Sequence, residues 1–237
     1  MAEGPLTQIL ARFALGAGLP DVLPPDPMPV AKEWFDLARN EKVQPNPNAI
    51  TLATVDERNF PSARIVLCRE IAVSPGYLVF FTNYEGNKGR QLTRVPRAAA
   101  VFHWDKLDRQ IRIEGPVVRS PDSESDEYFA GRSWEKRVGS WASDQSRPIE
   151  SRAALLTRIL DTVGKLGLSP GELLLKGDKV NIPRPPHWGG FRLWAERVEL
   201  WLGGSARVHD RAEWSRELTA SPGGFDAGPW RSTRLQP

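Results

Sequence analysis

Ala49-Ile50-Thr51-Leu52-Ala53-Thr54-Val55 is the stretch whose reading decides the fold class. It is rich in β-branched residues, and Asp56-Glu57-Arg58-Asn59 follows as a turn, so it reads as a strand entering a hairpin. Working outward, Ser62 to Arg69 reads as a second strand and Tyr77 to Thr82 as a third, after Ser74-Pro75-Gly76. Lys88 to Val95 reads as a short helix stopped by Pro96. Arg97 to Trp104 and Arg109 to Val118 follow as strands, the latter alternating Gln110, Arg112 and Glu114 against Ile111 and Ile113. Strands at this even spacing, with hairpin turns and one helical insertion, predict an antiparallel barrel. The expected class is mainly β with α (α+β), with helices at the periphery.

On the N-terminal side, residues 28–42 predict an amphipathic helix with Val30, Trp34, Leu37 and Ala38 on its apolar face. Residues 1–27 read as an arm, with an apolar piece from Leu6 to Phe13 and a Pro24-Pro25-Asp26-Pro27 lead-in. On the C-terminal side, residues 121–163 are largely helical, and Ile149 to Val163 carries an apolar stripe of Leu155, Leu156, Ile159 and Leu160. Gly164 to Pro186 is a connection with a helical turn at Gly171 to Leu175. Strands return at Gly190–Trp194, Arg197–Leu202, Ala212–Glu217 and Trp230–Leu235, with a loop from Ser221 to Gly228. The closing strands need the barrel for burial, so residues 28–237 are expected to form one domain after the arm.

Composition narrows the function classes. With 32 Lys+Arg against 29 Asp+Glu, the net charge of +3 is small and interspersed, which argues against nucleic-acid binding. Cys68 is the only cysteine, so neither an internal disulfide nor a cysteine zinc site is expected. The three histidines, His103, His187 and His209, are scattered, and no metal site is expected. No basic start leads into a signal-peptide core and no apolar run reaches membrane-spanning length, so no membrane association and a reducing, cytoplasmic location are expected.

Several polar constellations remain. Leu200-Trp201-Leu202-Gly203-Gly204-Ser205-Ala206-Arg207-Val208-His209-Asp210-Arg211 would, if extended, project Arg207, His209 and Arg211 to one side. That suits an anionic, ring-shaped ligand, and it equally suits a hairpin with solvated charges. Arg64 and Arg69 bracket an apolar strand and face opposite ways, toward two ligands or toward solvent. Phe81 to Arg90 runs from a strand into a helix N-terminus, where backbone N–H groups and Lys88 favour an anion. Tyr128 and Arg132 stand one helical turn apart and can reach one ligand, or form a surface pair. Gly139-Ser140-Trp141-Ala142-Ser143-Asp144-Gln145-Ser146 reads as a polar loop between helices, either solvated or facing a ring rich in carbonyl and N–H groups. No nucleophile elbow, dinucleotide fingerprint or hydrolytic carboxylate pair occurs. Arginines, hydroxyls, amides and one histidine without a nucleophile fit redox chemistry on a bound cofactor better than hydrolysis.

The chain resembles the pyridoxamine/pyridoxine 5'-phosphate oxidase family from about Pro27 to Pro237. The motifs that carry the resemblance are Ser62 to Leu67, Phe80 to Tyr84, Leu107 to Gly115, Trp141 to Ser146, His187 to Phe191, Trp201 to Arg211 and Trp230 to Pro237. The resemblance implies an FMN-binding split β-barrel that works as a homodimer, with each flavin at the subunit interface. It implies that FMN takes a hydride equivalent from a phosphorylated pyridine substrate, pyridoxamine or pyridoxine 5'-phosphate. Pyridoxal 5'-phosphate results, and O2 reoxidises the flavin with release of H2O2. Carried over by position, the cofactor residues would be Arg64, Ile65, Val66, Leu67, Phe81, Thr82, Asn87, Lys88, Gln110, Gln145, Ser146, Trp201 and Arg211. Arg69, Tyr128, Arg132 and Lys136 would meet the substrate, and Arg207 and His209 would lie over its ring as the catalytic pair.

This chain departs from the family pattern mostly on the substrate side. Arg69 stands where the family has a lysine, Asn87 where it has an arginine, and Lys136 where it has a serine. Ala11 and Ala14 replace an arginine and a tyrosine that help cover the substrate, and the connection from Leu168 to Asn181 is longer. Two alternatives therefore stand beside the vitamer oxidase. One is an FMN oxidase of the same fold acting on another substrate, such as a phenazine precursor. The other is a flavin- or pyridoxal-phosphate-binding carrier without turnover.

Overall fold

The computed structural model describes residue 6 and residues 18–237. Residues 7–13 of the apolar N-terminal piece, and with them Ala11, lie outside the described residues, as does Ala14. Helix α1 (Met28–Asn40) leads into strands β1 (Ala49–Val55), β2 (Pro61–Ala72) and β3 (Tyr77–Asn83). Helix α2 (Asn87–Arg94) separates β3 from β4 (Arg97–Trp104) and β5 (Arg109–Arg119). Four helices follow: α3 (Asp122–Ala130), α4 (Trp134–Ala142), α5 (Arg152–Lys165) and α6 (Pro170–Lys176). Strands β6 (Trp188–Trp194), β7 (Arg197–Leu202), β8 (Asp210–Ser215), β9 (Leu218–Ser221), β10 (Gly224–Ala227) and β11 (Arg231–Leu235) complete the order.

Six antiparallel strands close a barrel in the order β5-β4-β1-β2-β3-β6, with β6 pairing back onto β5. The barrel is split because β5 serves two sheets. Its first half, Arg109–Glu114, pairs with β7, and its end, Val117–Arg119, pairs with β6. Gly115-Pro116 marks the transfer. Proline donates no ladder hydrogen bond. A Cβ on Gly115 would stand 2.0 Å from the Trp194 carbonyl oxygen, so only glycine admits this approach. β8 and β11 extend the sheet beyond β7.

The strand alternation fills the barrel. Ile50 and Leu52, Ala100, Phe102 and Trp104, and Ile111 and Ile113 are all buried. Each fully buried large apolar side chain contributes roughly 1.5–3 kcal/mol. The buried indoles find carbonyl partners: Trp104 Nε1 donates to Pro47 O (2.7 Å) and Trp214 Nε1 to Pro24 O (2.8 Å). A second apolar cluster joins α3–α6 around Phe129, Val138, Val163, Leu173 and Trp188.

The structure corrects several local expectations. α1 buries Met28, Ala31, Trp34, Phe35 and Ala38, while Val30 and Leu37 are only half-buried, because Phe35 seeks an edge contact with Phe102 (5.6 Å). In α5, Leu155, Leu156 and Leu160 are exposed. The packed face there is Ile159, Thr162, Val163 and Leu166, which keeps the i, i+3, i+4, i+7 spacing one turn later. Helix α4 runs through Gly139 to Ala142, so the polar loop begins at Ser143. Ser221 to Gly228 is no plain loop. Ser221 ends β9 and Gly224–Ala227 forms β10, a hairpin closed by Pro222-Gly223 with Gly223 at φ +79°. Strand β8 starts at Asp210 and stops at Ser215, earlier than the spacing suggested.

Candidate active site

The first cluster gathers where β3 hands over to α2. Asn83 Oδ1 accepts from the backbone N–H of Glu85 (2.7 Å) and Gly86 (3.2 Å), which shapes the turn into the helix. Lys88, in the first turn of α2, extends its Nζ to Gln145 Oε1 (2.6 Å) and Thr82 Oγ1 (3.2 Å). The Asn87 backbone N–H donates to Ser146 Oγ (3.2 Å), so the 143–146 loop is drawn onto the helix N-terminus. Burial pushes the Lys88 ammonium below its ordinary pKa, and the nearby Arg64 guanidinium pushes it in the same direction. Arg64 is itself lowered by burial. Both cations are held by neutral groups, and neither forms an ion pair among the described residues. Ile65, next along β2, is 64% exposed, and Val66 and Leu67 are half-buried.

A second cluster is built on stacked rings. Phe81 lies parallel to Tyr128 (4.0 Å, 9°) and to Trp188 (5.5 Å, 10°). Arg69, the residue at the bulge in β2, stands over Tyr128 at 5.4 Å, and Arg132 stands over Trp188 at 4.6 Å. Arg132 Nη1 donates to Ser140 Oγ (2.7 Å). Burial lowers the Arg132 pKa, and Arg69 and Arg137 add to the lowering against Tyr128. Tyr128 and Arg132 meet here, though not as one helical face: α3 ends at Ala130, and Arg132 reaches the group through Trp188. A cavity of about 420 Å³ joins the two clusters, since Thr82 and Gln145 line it together with Arg132, Lys136, Ser140 and Trp188.

The third cluster lies elsewhere. Gln110, Trp201 and Arg211 are cross-strand neighbours on β5, β7 and β8. Arg211 is clamped by the buried Glu199, whose Oε1 accepts from Nε and Nη2 at 2.8 Å each, and Glu199 Oε2 also takes Arg112 at 2.6 Å. His209 tilts onto Trp201 (4.6 Å). Its Nδ1 accepts from the Gly204 N–H (3.2 Å), which leaves the proton of the neutral ring on Nε2. The segment is not extended, in contrast to the expectation from alternation. Ser205–Arg207 is a 3-10 turn with Ala206 and Arg207 at φ +53° and +63°, so Arg207, His209 and Arg211 do not form one row. Gly204 permits that turn, because a Cβ there would lie 1.9 Å from the Val208 carbonyl oxygen. Arg207 is exposed.

Clusters two and three occupy opposite ends of β5. Gln110 stands at its start. Phe81 neighbours Gly190 of β6, whose carbonyl accepts from Ser120 N just past the other end. Nine residue steps of strand lead from Gln110 to Arg119, which is about 30 Å of extended chain. The candidate residues thus fall into two separate groups on this chain. The motifs passed over three neighbours of these residues, Gln91 and Thr54 around Arg64 and Glu199 behind Arg211, whereas Ser140, which bonds Arg132, lies in the polar stretch from Gly139 to Ser146. Thr54 had a readable signal, a polar residue at the inward position after Ile50 and Leu52. Among the described residues no group of three or more His, Cys, Asp and Glu side chains gathers as a metal site, and no helix is long and apolar enough to cross a membrane.

Comparison with known proteins gives the family. Residues 38–162 match the family model described as pyridoxamine 5'-phosphate oxidase. Residues 188–237 match the pyridoxine 5'-phosphate oxidase C-terminal dimerisation region. A pyridoxine/pyridoxamine 5'-phosphate oxidase from Burkholderia thailandensis is 44% identical over 213 residues, covering 90% of each chain. One from Cupriavidus necator is 43% identical over 232 residues, covering 98% of this chain and 99% of the relative. Among solved structures, PhzG from Burkholderia lata 383, in complex with tetrahydrophenazine-1-carboxylic acid, is similar with a TM-score of 0.74 at 30% identity, covering 93% of this chain and all of that one. Identity at this level across nearly the whole length, on the same split barrel, means that the chain belongs to the pyridoxine/pyridoxamine 5'-phosphate oxidase family and is an oxidoreductase.

Proposed function

We propose that the chain is an FMN-dependent oxidase that converts pyridoxamine 5'-phosphate or pyridoxine 5'-phosphate to pyridoxal 5'-phosphate. The observation that carries this reading is two cation groups without a carboxylate partner beside one cavity: Arg132 and Lys136 line it with Arg69 nearby over Tyr128, and Lys88 reaches its lining residues Thr82 and Gln145 with Arg64 behind. Two phosphates, one of the cofactor and one of the substrate, supply the anions that these groups lack. The residues fit FMN on this ground. Arg64, Lys88 and the helix N-terminus would hold its phosphate, with Thr82, Gln145 and Ser146 as polar neighbours. Bound FMN supplies the two-electron acceptor that O2 regenerates, with H2O2 as product.

The chain's own side chains then have distinct tasks. Arg69, Arg132 and Lys136 anchor the substrate phosphate, and Phe81 and Trp188, with Tyr128 stacked on them, wall the cavity. The half-site of Gln110, Trp201, His209 and Arg211 is too distant along β5 to serve the same cavity, so we assign it to the cavity of a second copy. The match of residues 188–237 to a dimerisation region supports a homodimer. In it Arg207 and His209 orient the substrate ring, and the His209 Nε2–H is the donor that faces away from the Gly204 bond.

The test is direct. Purified protein should be yellow, release FMN on denaturation and form peroxide with pyridoxamine 5'-phosphate. A colourless protein that takes up no FMN would leave only the carrier reading. A yellow protein inert to both phosphorylated vitamers would favour another substrate, such as a phenazine-type carboxylate. The forked Arg69 and the added Lys136 make that second reading worth assaying in parallel.

A further inference from the structure

Arg64 is enclosed by four acceptors, three of them side chains. Its Nη1 donates to Thr54 Oγ1 (2.5 Å) and Leu52 O (3.2 Å), and its Nη2 to Ser62 Oγ (2.6 Å) and Gln91 Oε1 (3.0 Å). Every acceptor is neutral. Several other guanidinium groups pair with carboxylates, as Arg112 and Arg211 do with Glu199 or Arg184 with Asp122 and Asp126, whereas Arg132, Arg137 and Arg216 bond neutral oxygens as Arg64 does. The hydrogen bonds around Arg64 also have fixed directions. Thr54, 2% exposed on the inner face of β1, has one hydroxyl proton and two acceptors in reach; Gln91 Oε1 at 2.7 Å is far better placed than Ser62 O at 3.4 Å, which leaves the Thr54 lone pairs for Arg64. Gln91 Oε1 therefore accepts from both Thr54 and Arg64, which closes a ring of three side chains drawn from β1, β2 and α2.

We infer that Gln91 and Thr54 are positioning residues that hold the Arg64 guanidinium in place while leaving its charge uncompensated, so that it selects a phosphate-bearing flavin. The inference rests on the FMN reading above. The chemistry at position 91 is decisive. Glutamate there has the same shape and would accept the same two bonds, but it would form an ion pair with Arg64 and cancel the charge offered to the phosphate. A role confined to holding the fold would be served by glutamate as well as by glutamine. A role in phosphate selection would not.

The experiment titrates the apo forms of wild type, Gln91→Glu, Thr54→Val and Thr54→Ser with FMN and with riboflavin, which lacks the phosphate, and follows flavin fluorescence. For Gln91→Glu the FMN Kd should rise by about tenfold or more while the riboflavin Kd stays within about twofold. Unchanged riboflavin binding also shows that the variant is folded. Thr54→Val should weaken FMN selectively, and Thr54→Ser, which keeps the hydroxyl, should restore it. FMN binding to Gln91→Glu as tight as wild type overturns the inference, and so does an equal loss for both flavins. Failure of the wild type itself to bind FMN overturns the cofactor reading, and the inference with it.

Discussion

Lys88→Met tests the proposed phosphate site through two measurements, one expected to stay nearly unchanged and one to fall. The side chains are similar in length, so the change removes the ammonium and little else. In the free protein the ammonium donates to Gln145 Oε1 and Thr82 Oγ1, and losing those bonds costs stability. Against that, the variant no longer buries a charge beside Arg64, which is why Lys88 lies below its ordinary pKa. These contributions oppose each other, and the unliganded variant should unfold within about 1 kcal/mol of wild type. The FMN-bound protein has no such compensation. A charge-assisted hydrogen bond to phosphate contributes ~1.5–3 kcal/mol. Taking ~2.3 kcal/mol, FMN binds roughly fifty-fold more weakly.

Thermal unfolding with and without FMN reads this directly. At FMN about a thousandfold above the wild-type Kd, the ligand stabilises wild type by ~4.1 kcal/mol and the variant by ~1.8 kcal/mol. For a chain of this size about 2–4 °C accompany each kcal/mol, so the FMN-induced rise in Tm should shrink by roughly 5–9 °C. The pH dependence has a definite sign. Between the lowered folded pKa of Lys88 and its ordinary value of 10.5, the unfolded chain binds more protons, so the stability of the free protein rises with pH. Lys88→Met should remove that rise. An equal FMN-induced shift in variant and wild type would refute the placement of Lys88 at the phosphate.

Other perturbations separate roles. Arg207→Ala should lower kcat/KM by ~10²-fold with FMN retained, whereas Arg64→Ala should lose FMN on gel filtration; unchanged kcat and KM for Arg207→Ala would remove it from the active site. Cys68 is fully buried, and burial pushes its thiol up to about 12. Thiol reagents at pH 8 should therefore label it only as fast as the protein unfolds, and rapid labelling of the native protein would contradict that burial. Ala206→Gly should stabilise the protein by about 0.5–1 kcal/mol in urea melts, because Ala206 holds φ +53° without glycine's freedom. A loss of stability would mean that the turn at 205–207 differs in solution.

Strand positions were readable where one face of a strand is buried and the other is not. β1, β4 and β7 begin and end where their alternation says, because a one-residue slip would turn Ile50, Leu52, Phe102 or Leu200 to solvent. The same rule failed at Arg207 for a physical reason. Alternation presumes extended backbone, and nothing in Ser205-Ala206-Arg207 announces two residues at positive φ, since neither Ala206 nor Arg207 favours that region. The α5 stripe failed differently. Leu155, Leu156, Ile159 and Leu160 span so wide an arc that two faces fit the period, and only the position of Trp188 and Leu173 decides which one packs. At the site, residue types and neighbours along the chain were legible, but partnership across the fold was not. Arg64 and Gln91 stand 27 positions apart and Arg64 and Thr54 ten, and it is the register of β1 with β2, with Leu52 opposite Arg64, that brings them together. A motif read along the chain registers Arg64 as a charge. The register shows that the fold supplies that charge with four acceptors and no counterion, and this is why glutamine rather than glutamate at position 91 carries functional meaning.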